Sequence, residues 1–272
     1  MKIACAQFSP KLFMIHKNLD CILSCMLRSS KKGVDLLLFP ECALTGYILK
    51  SISDFDNFNN DEILSAIEKI KKESIRLDIN VAFGTLVKRG ESWFNSCYIA
   101  TRKGDLFYQN KSHLPSVGAD RFIQPEDSPL RVYNIDNYKV GIIICYEARF
   151  PEMGRSLSIL GADIILNPTN YPKKSEKITD YILPTRAMEN KVFILSANRC
   201  GVENEMEFLG KSTIYDTNGD ILAQADNQSD DIIHAEISVE NARNKKIVFS
   251  DNYNHCGTND IYNDRRPQVY IL

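Results

Sequence analysis

Long apolar runs are missing from this chain. None of its 272 residues lies in a stretch approaching the roughly 20 apolar side chains that a membrane-spanning helix needs, so no membrane partner is expected. An excess of charge of either sign is missing too. With 33 Lys and Arg against 35 Asp and Glu, the chain offers no strong electrostatic case for nucleic acid or an anionic surface, and the expected partners are small molecules. The opening MKIACAQFSP is too short and too polar for a secretory signal, and a cytoplasmic protein is expected. The eight cysteines include no Cys-x-x-Cys spacing, so neither a zinc site nor a redox motif is indicated. Reduced thiols are the plain reading, and no metal or cofactor is expected. No low-complexity linker or repeated segment interrupts residues 1–272, a length that suits one large domain.

What is present is a recurrence of strand-length apolar runs: 2–8, 34–39, 80–87, 96–100, 105–110, 139–145, 162–168, 191–198 and 232–237. Helical patterns occupy 17–30, 61–77, 152–160 and 176–190. In the second of these, Ile63, Leu64, Ile67, Ile70, Ile75 and Leu77 follow a period near 3.6 residues, and Asp61 is positioned to cap its start. Alternation of strand and helix predicts a layered α/β fold with a buried sheet. The runs 96–100 and 105–110, joined by TRKG, predict a hairpin and hence mixed pairing. The polar segment 50–60 reads as a surface loop.

Ligands in such folds collect at the carboxyl ends of strands, and three ionisable residues sit at such ends. Glu41 follows DLLLFP, where Pro40 stops the strand. Lys111 closes DLFYQNK, with His113 two residues on. Cys145 ends KVGIIIC, before the abrupt change to YEARFPE. A free cysteine is a common core residue and a lone lysine a common surface one, so each alone means little. Convergence of the three, which neighbouring strands would bring about, changes that. A cysteine nucleophile needs a base or a positive neighbour. His16, His234 and His255 fall in helix-like, strand-like and tail segments, so no Cys-His-Asn arrangement is evident; a carboxylate base and an ammonium would do that job differently.

Taken together and in order, LLLFPECALTGY, NKSHLP, GIIICYEARFPE, LGADIILNPTNYP, TRAMENKVFILSANRCG and FLGKSTIYDTNGDILA resemble the nitrilase superfamily of carbon–nitrogen hydrolases over almost the whole chain. The resemblance implies a four-layer αββα sandwich of two mixed sheets flanked by helices. It also implies a homodimer or higher homo-oligomer, with the C-terminal tail at about 250–272, including Val269, Tyr270, Ile271 and Leu272, contacting a partner copy. Carried onto this sequence, Cys145 is the nucleophile, Glu41 the general base and then acid, and Lys111 the stabiliser of the oxyanion, aided by the backbone N–H of Tyr146. Tyr47, Asn170 and Tyr171 are candidate substrate contacts. Glu147 is read as support rather than a second base, His113 likewise, and Arg149 and Glu152 as charged braces of the turn that Pro151 carries into a helix.

Many relatives carry a second glutamate in the loop after the lysine. Here that loop is GADRFIQPEDSP, with Ala119 or Asp120 near the place and Glu126 where a glycine is usual, and Asp120 is the candidate substitute. CYEARFPE is more similar to the amidase and N-carbamoyl-amidase branches than to the nitrilases proper. The activity implied is hydrolysis of a small carboxamide to acid and ammonia through a thioester. The alternatives are N-carbamoyl amide hydrolysis, releasing amine, carbon dioxide and ammonia, and a non-catalytic binding or scaffold protein of the same fold.

Overall fold

A computed structural model describes residues 1–227, 229–248 and 258–270. The first half of the chain runs β1 (Lys2–Gln7), α1 (Ile15–Ser30), β2 (Leu36–Leu38), α2 (Asn60–Arg76), β3 (Asn80–Arg89), β4 (Ser92–Ala100) and β5 (Leu106–Asn110). The second runs β6 (Tyr133–Ile135), β7 (Tyr138–Ile142), α3 (Pro151–Ile159), β8 (Ile164–Thr169), α4 (Leu183–Asn190), β9 (Phe193–Asn198), the short hairpin β10 (Val202–Glu203) and β11 (Met206–Glu207), then β12 (Thr213–Tyr215) and β13 (Ile221–Gln224). β14 (Asp231–Glu236) returns to pair with β1.

Two six-stranded mixed sheets result, ordered β14-β1-β2-β3-β4-β5 and β13-β12-β9-β8-β7-β6. Read from β6, the second repeats the pairing pattern of the first: antiparallel, parallel, parallel, antiparallel, antiparallel. The sequence carries no repeat, because backbone pairing constrains polarity and register while leaving side-chain identity free.

Period-two alternation divides the side chains of the first sheet between two cores. Ile3, Cys5, Leu36, Leu38, Ala82, Cys97 and Ile99 join Val140, Ile142 and Ile164 of the second sheet in one core. Ala4, Ala6, Leu37, Phe39, Val81 and Phe83 pack instead against Ile22 and Met26 of α1 and Ile63, Ile67 and Ile70 of α2. On the far side Met153 and Leu157 of α3 and Leu183 and Ala187 of α4 cover the second sheet. The four layers are therefore helix, sheet, sheet, helix. Polar ties cross between sheets: Gln109 Nε2 donates to Ile142 O at 3.0 Å, and Asn80 Nδ2 to Tyr138 Oη at 3.0 Å.

Local details differ from the sequence expectations. The cap of α2 is Asn59, whose side chain accepts from the N–H groups of Asp61 and Glu62; Asp61 lies inside the helix. The 50–60 segment contains a 3₁₀ turn, Ile52–Asn57, anchored by Phe55 and Phe58, whose rings sit 4.8 and 5.7 Å from that of Trp93. Residues 176–190 form a π turn over Ile178–Ile182 that continues into α4. Among the described residues no helix is long and apolar enough to cross a membrane. Ile271 and Leu272, like His255 and Cys256, lie outside the described residues. The described part of the tail rests on its own chain, with Tyr262 Oη hydrogen-bonded to Ser158 Oγ and, at 3.2 Å, to Asn190 O.

Candidate active site

Glu41 and Lys111 follow β2 and β5, which are separated by two strands of one sheet, and Cys145 follows β7 in the other. The strands are not neighbours. Lys111 contacts Glu41 directly, and Cys145 is near enough for both charges to shift its thiol, because the sheets face each other and the loops at one end fold inward.

Glu41 is brought in by a close approach of two backbones. Gly84 of β3 donates its N–H to Pro40 O at 3.1 Å, and a Cβ there would lie 2.4 Å from Cys42 N and 2.6 Å from Glu41 Cα. Only glycine lets the turn after β2 lie this tightly on its neighbour. Lys111 Nζ donates to Glu41 Oε1 at 2.7 Å and to Asp120 Oδ2 at 2.6 Å, all three side chains being fully buried. Asn95, within β4, spans both carboxylates, its Nδ2 donating to Glu41 Oε1 at 2.7 Å and to Asp120 Oδ1 at 3.0 Å. Two acids, one ammonium and one amide thus form a closed dry cluster. Sequence reasoning missed Asn95; the available signal was an amide inside the mostly apolar strand WFNSCYIA.

The second oxygen of Glu41, Oε2, is buried and has no hydrogen-bond partner among the described residues. Such an acceptor is costly to leave unpaired, and here it is the free face of the cluster. Burial raises the Glu41 carboxyl above the usual glutamate range, Lys111 opposing and Asp120 reinforcing the shift. Burial works against the Lys111 ammonium, but Asp120 and Glu41 hold it well above the ordinary lysine range. Burial pushes the Cys145 thiol up to about 12, Glu41 adding and Lys111 opposing. The resting sulfur is therefore a protonated thiol, and its proton needs an acceptor before it can attack.

Cys145 lies past the end of its strand, which stops at Ile142. It opens a 3₁₀ turn, Cys145–Arg149, with φ +47°, a left-handed conformation that costs a non-glycine residue about 1–3 kcal/mol. Glu147 holds this turn against the lysine loop: Oε2 accepts from Ile144 N at 2.7 Å and Oε1 from Ser112 N at 2.7 Å. The fully buried Glu147 thus staples the residue before the cysteine to the residue after the lysine. His113 Nδ1 lies 3.7 Å from Glu147 Oε1 and its ring stacks on Phe150; the Glu147 carboxylate raises its pKa against the effect of burial. Tyr171 Oη donates to Cys145 O at 3.0 Å, so that hydroxyl braces the cysteine backbone and is less free for a ligand than the sequence implied.

A cavity of about 90 Å³ opens on Cys145, with Tyr47, Tyr146, Arg149, Asn170 and Tyr171 in its wall. Asn170 is buried with both side-chain polar atoms unpartnered. Arg149, expected to brace the turn through a charged partner, is instead an exposed part of the cavity wall, and no ion pair involves it or Glu152 among the described residues. Glu152 stands exposed in the first turn of α3, with Pro151 at the helix start. Tyr146 is the second residue of the 3₁₀ turn, where backbone N–H groups lack partners within the turn. Glu126, in the place of the usual glycine, accepts from Asn110 Nδ2 at 3.0 Å on the outer side of the lysine loop. No group of three or more His, Cys, Asp or Glu side chains among the described residues is arranged to hold a metal ion. The arrangement suits acyl transfer to sulfur: a thiol, a carboxylate with a free oxygen, a fixed cation and a small cavity.

Comparison with known proteins agrees. The carbon–nitrogen hydrolase family profile matches residues 2–246. A nitrilase of Pyrococcus abyssi is 31% identical, covering 100% of this chain and 99% of its own. A 2-oxoglutaramate amidase of Bacillus subtilis is 26% identical over 92% of this chain and 96% of its own. In fold, the chain is similar at a TM-score of 0.82 and 23% identity to an amidase from Nesterenkonia sp. AN1 carrying the acetamide moiety of fluoroacetamide on its active-site cysteine, with 89% of this chain and 92% of that one covered. With a profile spanning nearly its full length and a relative above 30% identity end to end, this chain belongs to the carbon–nitrogen hydrolase family, within the nitrilase superfamily.

Proposed function

We propose that this carbon–nitrogen hydrolase converts a small carboxamide to the carboxylic acid and ammonia through a thioester on Cys145. The observation that carries the reading is the division of labour on Glu41: Oε1 is saturated by Lys111 and Asn95, while the buried Oε2 has no partner. A carboxyl held in this way, with its pKa raised by burial, is suited to exchange a proton near neutral pH. Glu41 takes the thiol proton as Cys145 Sγ attacks the amide carbon. The oxyanion of the tetrahedral intermediate is met by Lys111 Nζ and the N–H of Tyr146. Glu41 returns the proton to nitrogen, the C–N bond breaks and ammonia leaves. Water, losing a proton to Glu41, then attacks the thioester; the acid departs and the proton returns to sulfur. Asp120 takes the part of the second glutamate by holding Lys111.

The cavity volume favours a short acyl group, and the unpaired amide of Asn170 offers one donor and one acceptor to a bound carboxamide. A homodimer through the α3–α4 layer, where Ile159, Leu160 and Met188 are exposed, belongs to the same reading; sedimentation would report it. Ammonia release from a panel of aliphatic amides, carbamoyl amines and nitriles tests the activity. Turnover of short amides is expected, and activity on nitriles alone would refute the proposed branch. Iodoacetamide labelling followed by mass spectrometry tests the nucleophile: Cys145 is expected to react much faster than the buried Cys5 and Cys97. Equal slow labelling with no ammonia released would favour a scaffold.

A further inference from the structure

The hairpin β10–β11 carries an acid that the proposed chemistry does not use. Glu203 is buried, and its Oε2 accepts from Tyr47 N at 2.9 Å and from Ile48 N at 2.6 Å. Its Oε1 lies 2.9 Å from Arg199 Nη1, an ion contact off the angle of a hydrogen bond. Arg199 is fully buried; its Nη2 donates to Pro10 O at 2.9 Å and its guanidinium lies 4.2 Å from the centre of the Phe208 ring. Asn204 Nδ2 adds a bond to Ile48 O at 2.8 Å. Desolvating two charges is expensive, and an apolar pair of similar volume would often be as stable or more so. Stability alone is therefore a poor reason for this pair.

What the pair grips is Tyr47. The carbonyl of Tyr47 accepts from Ala119 N at 2.9 Å, and its ring lies so close to Gly118 that a Cβ there would meet it at 2.7 Å. Its hydroxyl lies 3.0 Å from both Asp120 Oδ2 and Val117 O. Asp120 Oδ2 is the oxygen that accepts from Lys111 at 2.6 Å. One unbroken series of short contacts therefore runs from Arg199 through Glu203, Tyr47 and Asp120 to Lys111. Met206, on the same hairpin, lines the cavity beside Cys145.

We infer that Glu203, held by Arg199, is a positioning residue for the reaction: it fixes the Tyr47 backbone so that the phenol orients Asp120 and, through it, the Lys111 ammonium. The inference rests on the hydrolase reading above. Glu203 is not part of the cavity wall, and its link to Asp120 and Lys111 runs through Tyr47, so the two side chains must be coupled.

The test is a double-mutant cycle of Glu203→Gln and Tyr47→Phe, read by ammonia release from a short aliphatic amide and by the rate of Cys145 alkylation with iodoacetamide. Each single variant is expected to lower kcat by about 10- to 100-fold, the scale of a small misplacement of reacting groups, with KM changed less than about threefold. The double variant should be no slower than the slower single. Factors that multiply, a loss confined to KM, or a Glu203→Gln protein with a lowered melting temperature but wild-type kcat would each overturn the inference. If Glu203→Gln does not fold, Glu203→Asp, which keeps the charge but shortens the reach, enters the same cycle with the same criterion of non-additivity. If wild-type protein hydrolyses no amide, the proposed activity fails on its own, and the alkylation rates of the four proteins still decide whether Glu203 and Tyr47 are coupled.

Discussion

Lys111→Met removes one charge from the cluster while nearly keeping its volume. In the wild type, Nζ lies 2.7 Å from Glu41 Oε1 and 2.6 Å from Asp120 Oδ2, with every partner fully buried. Without the cation, two carboxylates remain in a buried site, sharing the Asn95 Nδ2 donor, with the Tyr47 hydroxyl beside Asp120. Breaking a buried pair typically costs about 3–5 kcal/mol. For a chain of this size, at roughly 2–4 °C per kcal/mol, that corresponds to a melting temperature lowered by about 10 °C near neutral pH. The deficit must depend on pH, and its sign follows from which state binds protons. Two like charges forced together raise the folded-state pKa of the pair, so the folded variant keeps a proton that the unfolded chain releases. The variant therefore recovers stability as pH falls toward the unfolded carboxylate range and loses it as pH rises through the folded value. Thermal unfolding of both proteins at pH 8 and pH 5.5 reads this directly, with the gap wider at pH 8. Loss of the proposed oxyanion donor should also lower kcat by about 10²- to 10³-fold. A variant as stable as the wild type at pH 8, or one with undiminished turnover, would refute the argument that this ammonium both neutralises the cluster and serves the reaction.

Cys145→Ala should fold, release no ammonia and lose the fast iodoacetamide site, and retained hydrolysis would remove the proposed mechanism. Because the proposed mechanism needs Glu41 ionised to accept the thiol proton and burial raises its pKa, kcat/KM should rise with pH through a limb above the ordinary glutamate range. A limb near the model-compound value of about 4.3 would contradict this. Asp120 and Glu41 hold Lys111 charged well above the ordinary lysine range, so its deprotonation should contribute no fall in kcat/KM below that range. Gly84→Ala sets a methyl group against three backbone atoms within 2.7 Å; it should cost about 1–3 kcal/mol in denaturant unfolding and depress kcat by displacing Glu41, and unchanged kinetics would disprove the close-approach argument. Glu147→Gln puts an amide donor against one of two backbone N–H groups. A loss of about 1–3 kcal/mol is expected, together with a kcat reduced more than tenfold, because the loops bearing Lys111 and Cys145 are then no longer tied to each other.

Much of the architecture is legible in the primary structure because it rests on periodicity. The runs around 2–8, 80–87 and 191–198 are strands and the 3.6-residue pattern of 61–77 is a helix, since burial of alternate or every third and fourth side chain leaves a local trace. Glu41, Lys111 and Cys145 could be singled out because each interrupts an apolar run at its end. The short strands β12 and β13 were not foreseen, nor was the anchoring of 50–60 on Trp93, because a three- or four-residue pairing and an aromatic contact across more than thirty positions leave no local period.

Charge clustering followed the same divide. Asp120 could be proposed from its position in a familiar loop nine residues after Lys111, but the bridging to Glu41 by Asn95 and the Glu203–Tyr47 contact join residues far apart in the chain. The sequence by itself determined which segments are strands and helices and which ionisable residues stand at their ends, because those properties follow from nearest-neighbour sterics and hydrophobic spacing. Only the tertiary structure decided that strands from two opposed sheets, rather than neighbours in one, deliver the site, and which oxygen of Glu41 stays free. Those outcomes depend on how distant backbones pack and how buried donors are shared, and no local pattern encodes them.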